Sequence, residues 1–121
     1  MPVVVQTALN NGKVGLVNFQ EQVLAQITLT GGNVLVQGKL FVNIGDPDPQ
    51  GIKGRLTHQD GSIELDVVDL VRAAGHTGHC ICLTGWITGA AANDIVDLRC
   101  QTFFGDASNP RLIAMQVDNL T

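Results

Sequence analysis

Residues 30–44 read TGGNVLVQGKLFVNI, and this stretch decides the fold. Gly31-Gly32-Asn33 is turn chemistry. Beyond it Val34, Val36, Gly38, Leu40, Val42 and Ile44 alternate with Leu35, Gln37, Lys39, Phe41 and Asn43. A period of two, rich in β-branched residues, is that of a strand with one face in a core. Wound as a helix, the same residues make no apolar stripe, and a glycine inside it costs about 1 kcal/mol against alanine.

The flanking sequence reads the same way. Residues 2–9 form a short apolar strand ended by Asn10-Asn11-Gly12, the chemistry of a type I′ turn, and residues 13–17 a second short strand. Residues 23–29 place Val23, Ala25, Ile27 and Leu29 opposite Gln22, Leu24, Gln26 and Thr28. Asp46-Pro47-Asp48-Pro49-Gln50-Gly51 is a loop, because each proline removes a donor and restricts its predecessor. Residues 52–58 turn Ile52, Gly54 and Leu56 inward, Asp60-Gly61 closes a hairpin, and residues 62–70 return with Ile63, Leu65 and Val67 on one face. Strands follow at residues 79–88, through Trp86, and 95–104, through Val96, Leu98 and Cys100. A loop over 105–110 leads to a last strand, 111–117, with Leu112 and Ala114 opposed by Ile113, Met115 and Val117.

About 8–10 strands with regular turn signals predict one all-β domain over residues 1–121, an antiparallel β-sandwich. The organising strand and the last strand are apolar on both faces. In an antiparallel sheet the second face usually meets water, so one sheet is expected to pack against another subunit. The expected interface set is Leu35, Phe41, Trp86, Ile113 and Met115. Trp86, the single tryptophan, reads first as a core anchor and second as an interface anchor.

Composition excludes several classes of function. Of the 121 residues 45% are apolar and 15% charged, which opposes disorder. The net charge is −4 with seven scattered Lys/Arg, so no basic stripe is present to neutralise phosphates, and no nucleic-acid partner is expected. No run reaches the ~18 apolar residues of a membrane span, and residues 1–6 lack the basic start of a secretory leader. Three cysteines, an odd number, do not read as a disulfide framework.

The order of GGNVLVQGKLFVNI, a hairpin, LTGWIT, IVDLRCQ and NPRLIAMQV resembles bacterial proteins of the complement-head and tumour-necrosis-factor-like jelly-roll type. Residues 32–42 answer to that superfamily's long central strand, and Val96-Asp97-Leu98-Arg99-Cys100 to its strand near the C-terminus. Residues 112–117 answer to the short last strand, which returns to the middle of the inner sheet. Where animal members carry Tyr and Phe in the central strand, this chain has Val34, Leu35 and Val36. The resemblance implies a ten-stranded jelly roll, a tight homotrimer and a non-catalytic head that binds partner proteins or glycans. It also implies an extracellular or cell-surface assembly.

Candidate chemistry is sparse. His76-Thr77-Gly78-His79-Cys80-Ile81-Cys82 offers nitrogen and sulfur of the kind zinc takes. On a strand, however, His79 points away from Cys80 and Cys82. The metal candidates are His76, His79 and Cys80. The plainer reading is a loop histidine, an interface histidine and two small buried strand residues. A hairpin pairing Trp86 with Val96 would set Cys82 beside Cys100, a candidate disulfide weighed against two reduced core thiols. Asp46-x-Asp48 and Asp94-x-x-Asp97 lack the six converging oxygens calcium needs. Glu64, Asp66 and Asp69 share a strand, on which Glu64 and Asp66 read as a solvated face rather than a glycosidase pair. Gly-x-Ser-x-Gly and the phosphate-loop pattern are absent, so neither catalysis nor a cofactor is expected.

The expected function is a homo-oligomeric, trimeric structural or binding module. The rivals are a self-assembling shell or filament subunit, a small metal-binding sandwich protein and a lectin.

Overall fold

Period-two alternation becomes nine antiparallel strands in the computed structural model, which describes residues 4–9, 13–15, 20–44, 50–59, 62–72, 78–101 and 105–117. They are β1 (Val4–Leu9), β2 (Lys13–Gly15), β3 (Gln22–Thr28), β4 (Gly32–Ile44), β5 (Gln50–His58), β6 (Ile63–Arg72), β7 (Gly78–Ala90), β8 (Ile95–Gln101) and β9 (Gly105–Val117). The first sheet runs β1-β9-β4-β7, with β2 also on β9, and the second runs β3-β8-β5-β6. From β3 onward the chain changes sheet at every connection except the β5–β6 hairpin. This interleaving is a jelly roll, the all-β sandwich expected from the sequence.

The organising stretch is a central strand, hydrogen-bonded to β7 on one side and β9 on the other. Its Val34, Val36, Leu40 and Val42 are buried, as are Ile81, Leu83, Leu112 and Ala114 of its neighbours. The second sheet answers with Leu24, Ile27, Ile52, Leu56, Val96, Leu98 and Cys100. Truncating one of the buried leucines to alanine costs ~2–5 kcal/mol.

Several sequence readings change. β1 and β2 run in the same direction along β9, from Val4↔Gln116 through Leu9↔Arg111 to Lys13↔Ser108 and Gly15↔Asp106. They are two pieces of one strand line, not the arms of a hairpin. Asn10-Asn11-Gly12 itself lies outside the described residues, as do Asp46-Pro47-Asp48-Pro49 and Asp60-Gly61.

Residues 105–110, read as a loop, are the first half of β9. Lys39 pairs with Arg111 and Phe41 with Ser108, so Asn109 and Pro110 together oppose Leu40. This is a β-bulge. Asn109 takes φ 50, a left-handed conformation asparagine tolerates, and Pro110 stands where the ladder is interrupted and its missing N–H costs least.

A second bulge, between Val23 and Ala25, turns Leu24 into the core and leaves Val23 exposed. A third sets Leu65 out of phase, so Leu65 and Val68 pack against the core while Ile63 and Val67 are exposed. Each bulge shifts the alternation by one residue and so exchanges the faces beyond it. The β6 edge closes onto β7, where Asp66 Oδ2 accepts a hydrogen bond from the Thr84 N–H at 2.9 Å. Beside it a Cβ on Gly85 would stand 2.6 Å from Leu65 Cβ, so this closure requires glycine.

Candidate functional site

The outer face of the first sheet gathers the residues singled out in the sequence. β4 and β9 each turn one set of side chains into the core, so the intervening set must face outward. The strand registers align that outward set in rows. Val5 stands opposite Met115, Met115 opposite Leu35, and Leu35 opposite Trp86. One apolar row thus crosses four strands. Its two ends are open: Val5 is 52% exposed and Trp86 58%. The next row is Thr7, Ile113, Gln37 and Thr84.

Trp86 is therefore not a core anchor. The core positions of β7 are Ile81, Leu83 and Ile87, and Trp86 is out of phase with them. All five expected interface residues, Leu35, Phe41, Trp86, Ile113 and Met115, share this one face. Phe41 lies six residues along β4 from Leu35, about 20 Å away at ~3.3 Å per residue. Its ring covers Gly78, where an added Cβ would meet the far end of the ring.

Between the apolar row and Phe41, Lys39 and Arg111 stand opposite each other across β4 and β9, both exposed. Two cavities flank them on the same face. One, of about 270 Å³, is lined by Gln37, Lys39, Cys82, Thr84, Arg111 and Ile113. The other, of about 450 Å³, is lined by Lys39, Phe41, Cys80, Ser108, Asn109 and Arg111. The β9 bulge puts Asn109 into this second cavity. Sequence reading missed the groove, because Lys39 and Arg111 each look like an ordinary solvated charge until the register brings them together.

The cysteines are arranged differently from expectation. β7 pairs with β4, and β8 pairs with β3 and β5, so Trp86 never meets Val96. Cys82 is exposed on the outer face of one sheet, whereas Cys100 is buried between the sheets, and all three cysteines are free. The Cys82–Cys100 disulfide is thereby corrected, as is the burial expected of Cys80 and Cys82. Burial pushes the Cys100 thiol up to about 12. Burial, then the adjacent Cys82, raises the Cys80 thiol above its usual value.

His76 lies outside the described residues. His79 and Cys80 are consecutive on β7 and point to opposite faces. Among the described residues no three His, Cys, Asp or Glu side chains converge as a metal site would require.

The other polar groups are engaged structurally. Asp94 Oδ2 accepts from the Ala91 N–H and lies 3.0 Å from both that nitrogen and His58 Nε2. It thereby ties the β7–β8 turn to the end of β5. The Ala91 N–H, and then His58, hold the Asp94 carboxyl below its usual range. On the outer face of the second sheet Arg55 pairs with Glu21 at 2.6 Å and Glu64 at 2.9 Å. Arg99 pairs with Asp97 at 2.7 Å, and Gln26 donates to the same carboxylate at 2.8 Å. Asp97 is fully buried beneath this network. Asp94 and Asp97 thus serve different sides of the fold, and Glu64 and Asp66 are bonded rather than merely solvated. Among the described residues no helix is long and apolar enough to cross a membrane.

No family model matches the chain, and no curated protein matches it. Solved structures are similar in fold. The Gx strain of infectious bursal disease virus aligns at a TM-score of 0.59 and 12% identity, covering 99% of this chain. The VP2 subviral particle of the same virus aligns at 0.59 and 8%, covering 96%. This chain spans 33% of the length of each of those two chains. The C-terminal CBM6 module of a Zobellia galactanivorans laminarinase aligns at 0.46 and 11%, covering 90% of this chain and 98% of the module. The two viral likenesses support a jelly-roll sandwich and do not single out the tumour-necrosis-factor-like or complement-head type.

Proposed function

We propose that this chain is a non-catalytic structural or binding module that associates with copies of itself, in a closed trimer, through the outer face of its first sheet. The observation that carries the reading is the apolar row Val5–Met115–Leu35–Trp86. The opposite sheet's outer face carries Arg–carboxylate pairs besides the exposed Val23, Ile63 and Val67, whereas this one aligns its apolar groups across four strands and ends in an open tryptophan. Trp is enriched where subunits meet, and exposed apolar groups aligned across strands mark such contacts. The contact is centred on the row, with Ile113 beside it and Phe41 at the far end. The three-fold closure follows the family resemblance. The non-catalytic reading is supported by the residues: His58 and Asp94 brace a turn, and Gly-x-Ser-x-Gly is missing from the sequence.

A second reading is a subunit of a larger shell. It is favoured by the fold likeness to VP2, which occurs in a subviral particle. Native mass spectrometry separates the two. A discrete trimer at micromolar concentration supports the first reading, and an open series of large species supports the second. A monomer under the same conditions overturns self-association through this face.

A further inference from the structure

We propose that the groove around Lys39 and Arg111 is a binding site for a sugar acid, a six-membered ring carrying a carboxylate or a sulfate.

Charge is the first observation. Arg55 and Arg99 each meet carboxylates within 3.5 Å. Among the described residues Lys39 and Arg111 meet none, yet the register places them side by side. Two adjacent cations without a counter-charge, on a chain of net charge −4, favour an oxyanion between them. The Cys80 thiol does not neutralise them, since burial keeps its pKa above the usual value and the thiol protonated at pH 7.

Shape is the second. The cavity of about 450 Å³ falls within the ~300–1,000 Å³ of small-molecule sites. Phe41, 42% exposed and seated over Gly78, supplies a flat apolar wall. Ser108 and Asn109 bring hydroxyl and amide groups to the same cavity, and the bulge at Asn109 and Pro110 is what turns that segment toward it. An arginine fork for the oxyanion, an aromatic surface for the ring and short polar side chains for hydroxyls are the complement of a sugar acid. Phe41 both walls this site and ends the proposed contact, so the calorimetry is run on Trp86→Glu, in which copies are apart, as well as on the wild type, and failure of the site is thereby distinguished from its burial between copies.

Titration calorimetry of the full chain with glucuronate, inorganic sulfate and glucose, at low ionic strength, tests this. Glucuronate should bind, sulfate should compete with it, and glucose should bind at least roughly tenfold more weakly. Lys39→Gln and Arg111→Gln should each weaken glucuronate by roughly tenfold or more, while Lys53→Gln on the other sheet leaves it unchanged. Added salt should weaken binding to the wild type. The proposal is overturned if glucuronate and sulfate both fail to bind at millimolar concentration. It is equally overturned if glucose binds as well as glucuronate, or if Lys53→Gln costs as much as Arg111→Gln. Circular dichroism of each variant establishes that it is folded, and a loss of binding that tracks a loss of fold also overturns the assignment.

Discussion

Leu35 and Trp86 are cross-strand partners on the outer face of the first sheet, and Trp86 is the more exposed of the two. Among the described residues no layer covers the pair. Replacing Trp86 with Glu should therefore separate copies without unfolding them. The expected outcome is a fall in native mass to that of one chain, with stability within about 0.5 kcal/mol of wild type, as for exposed substitutions. Trp86→Phe should retain the assembled mass. An assembled Trp86→Glu protein would place the subunit contact elsewhere.

The three thiols should separate by reactivity. Cys80 and Cys82 are exposed and Cys100 is buried, so a thiol reagent at pH 8 should label two groups in the native protein and the third only on unfolding. Cys100 also makes stability depend on alkali. Its folded pKa, about 12, lies above the ordinary 9.0, so the native state holds this proton more tightly than the unfolded chain. The contribution is complete below pH 9.0 and is lost as pH rises toward 12. Cys100→Ala should flatten the alkaline limb of the stability curve, measured by urea unfolding across that range.

Asp94 acts in the opposite direction. Its carboxyl is held below the ordinary 3.8 by the Ala91 N–H and His58. A lowered pKa contributes stability above that ordinary value, lost as pH falls through the folded one. Asp94→Ala should lower the melting temperature at pH 7, with the gap to wild type closing below pH 3.8. A gap that persists unchanged into acid would show that the carboxylate charge is not what braces the turn.

Gly85→Ala should destabilise by overpacking, since the new Cβ meets Leu65 Cβ at 2.6 Å. The typical cost is about 1–3 kcal/mol. Leu65→Ala removes most of the opposing side chain, but its own Cβ remains, so the double variant should recover only part of the loss attributable to crowding. Urea midpoints of the two single variants and the pair measure that coupling.

The organising strand was legible because nothing interrupts its alternation from Val34 to Val42, and its buried face is the one the pattern names. Phase was lost where a bulge intervenes. Leu24 and Val23 exchange faces because one extra residue enters β3, and nothing in the residue types announces it. Asn109-Pro110 reads as a loop because asparagine and proline favour turns, yet the same preferences suit a bulge inside a strand. Pairing partners are less legible still. Periodicity gives each strand a face but no neighbour, so β7 was matched to β8 by sequence proximity, whereas the jelly-roll crossover gives it to β4. The same limit hid the Lys39–Arg111 groove, whose two cations lie 72 positions apart in the chain (111 − 39).

The two outer faces of the sandwich are unlike. One carries Arg–carboxylate pairs over a buried Asp97, with Val23, Ile63 and Val67 exposed beside them, and the other carries an apolar row across four strands beside the Lys39–Arg111 pair. A slab with unlike sides is a vector. Copies joined through the apolar side must all present their ionic sheets outward, so the curvature and polarity of any ring or shell would be set by this single asymmetry of one subunit.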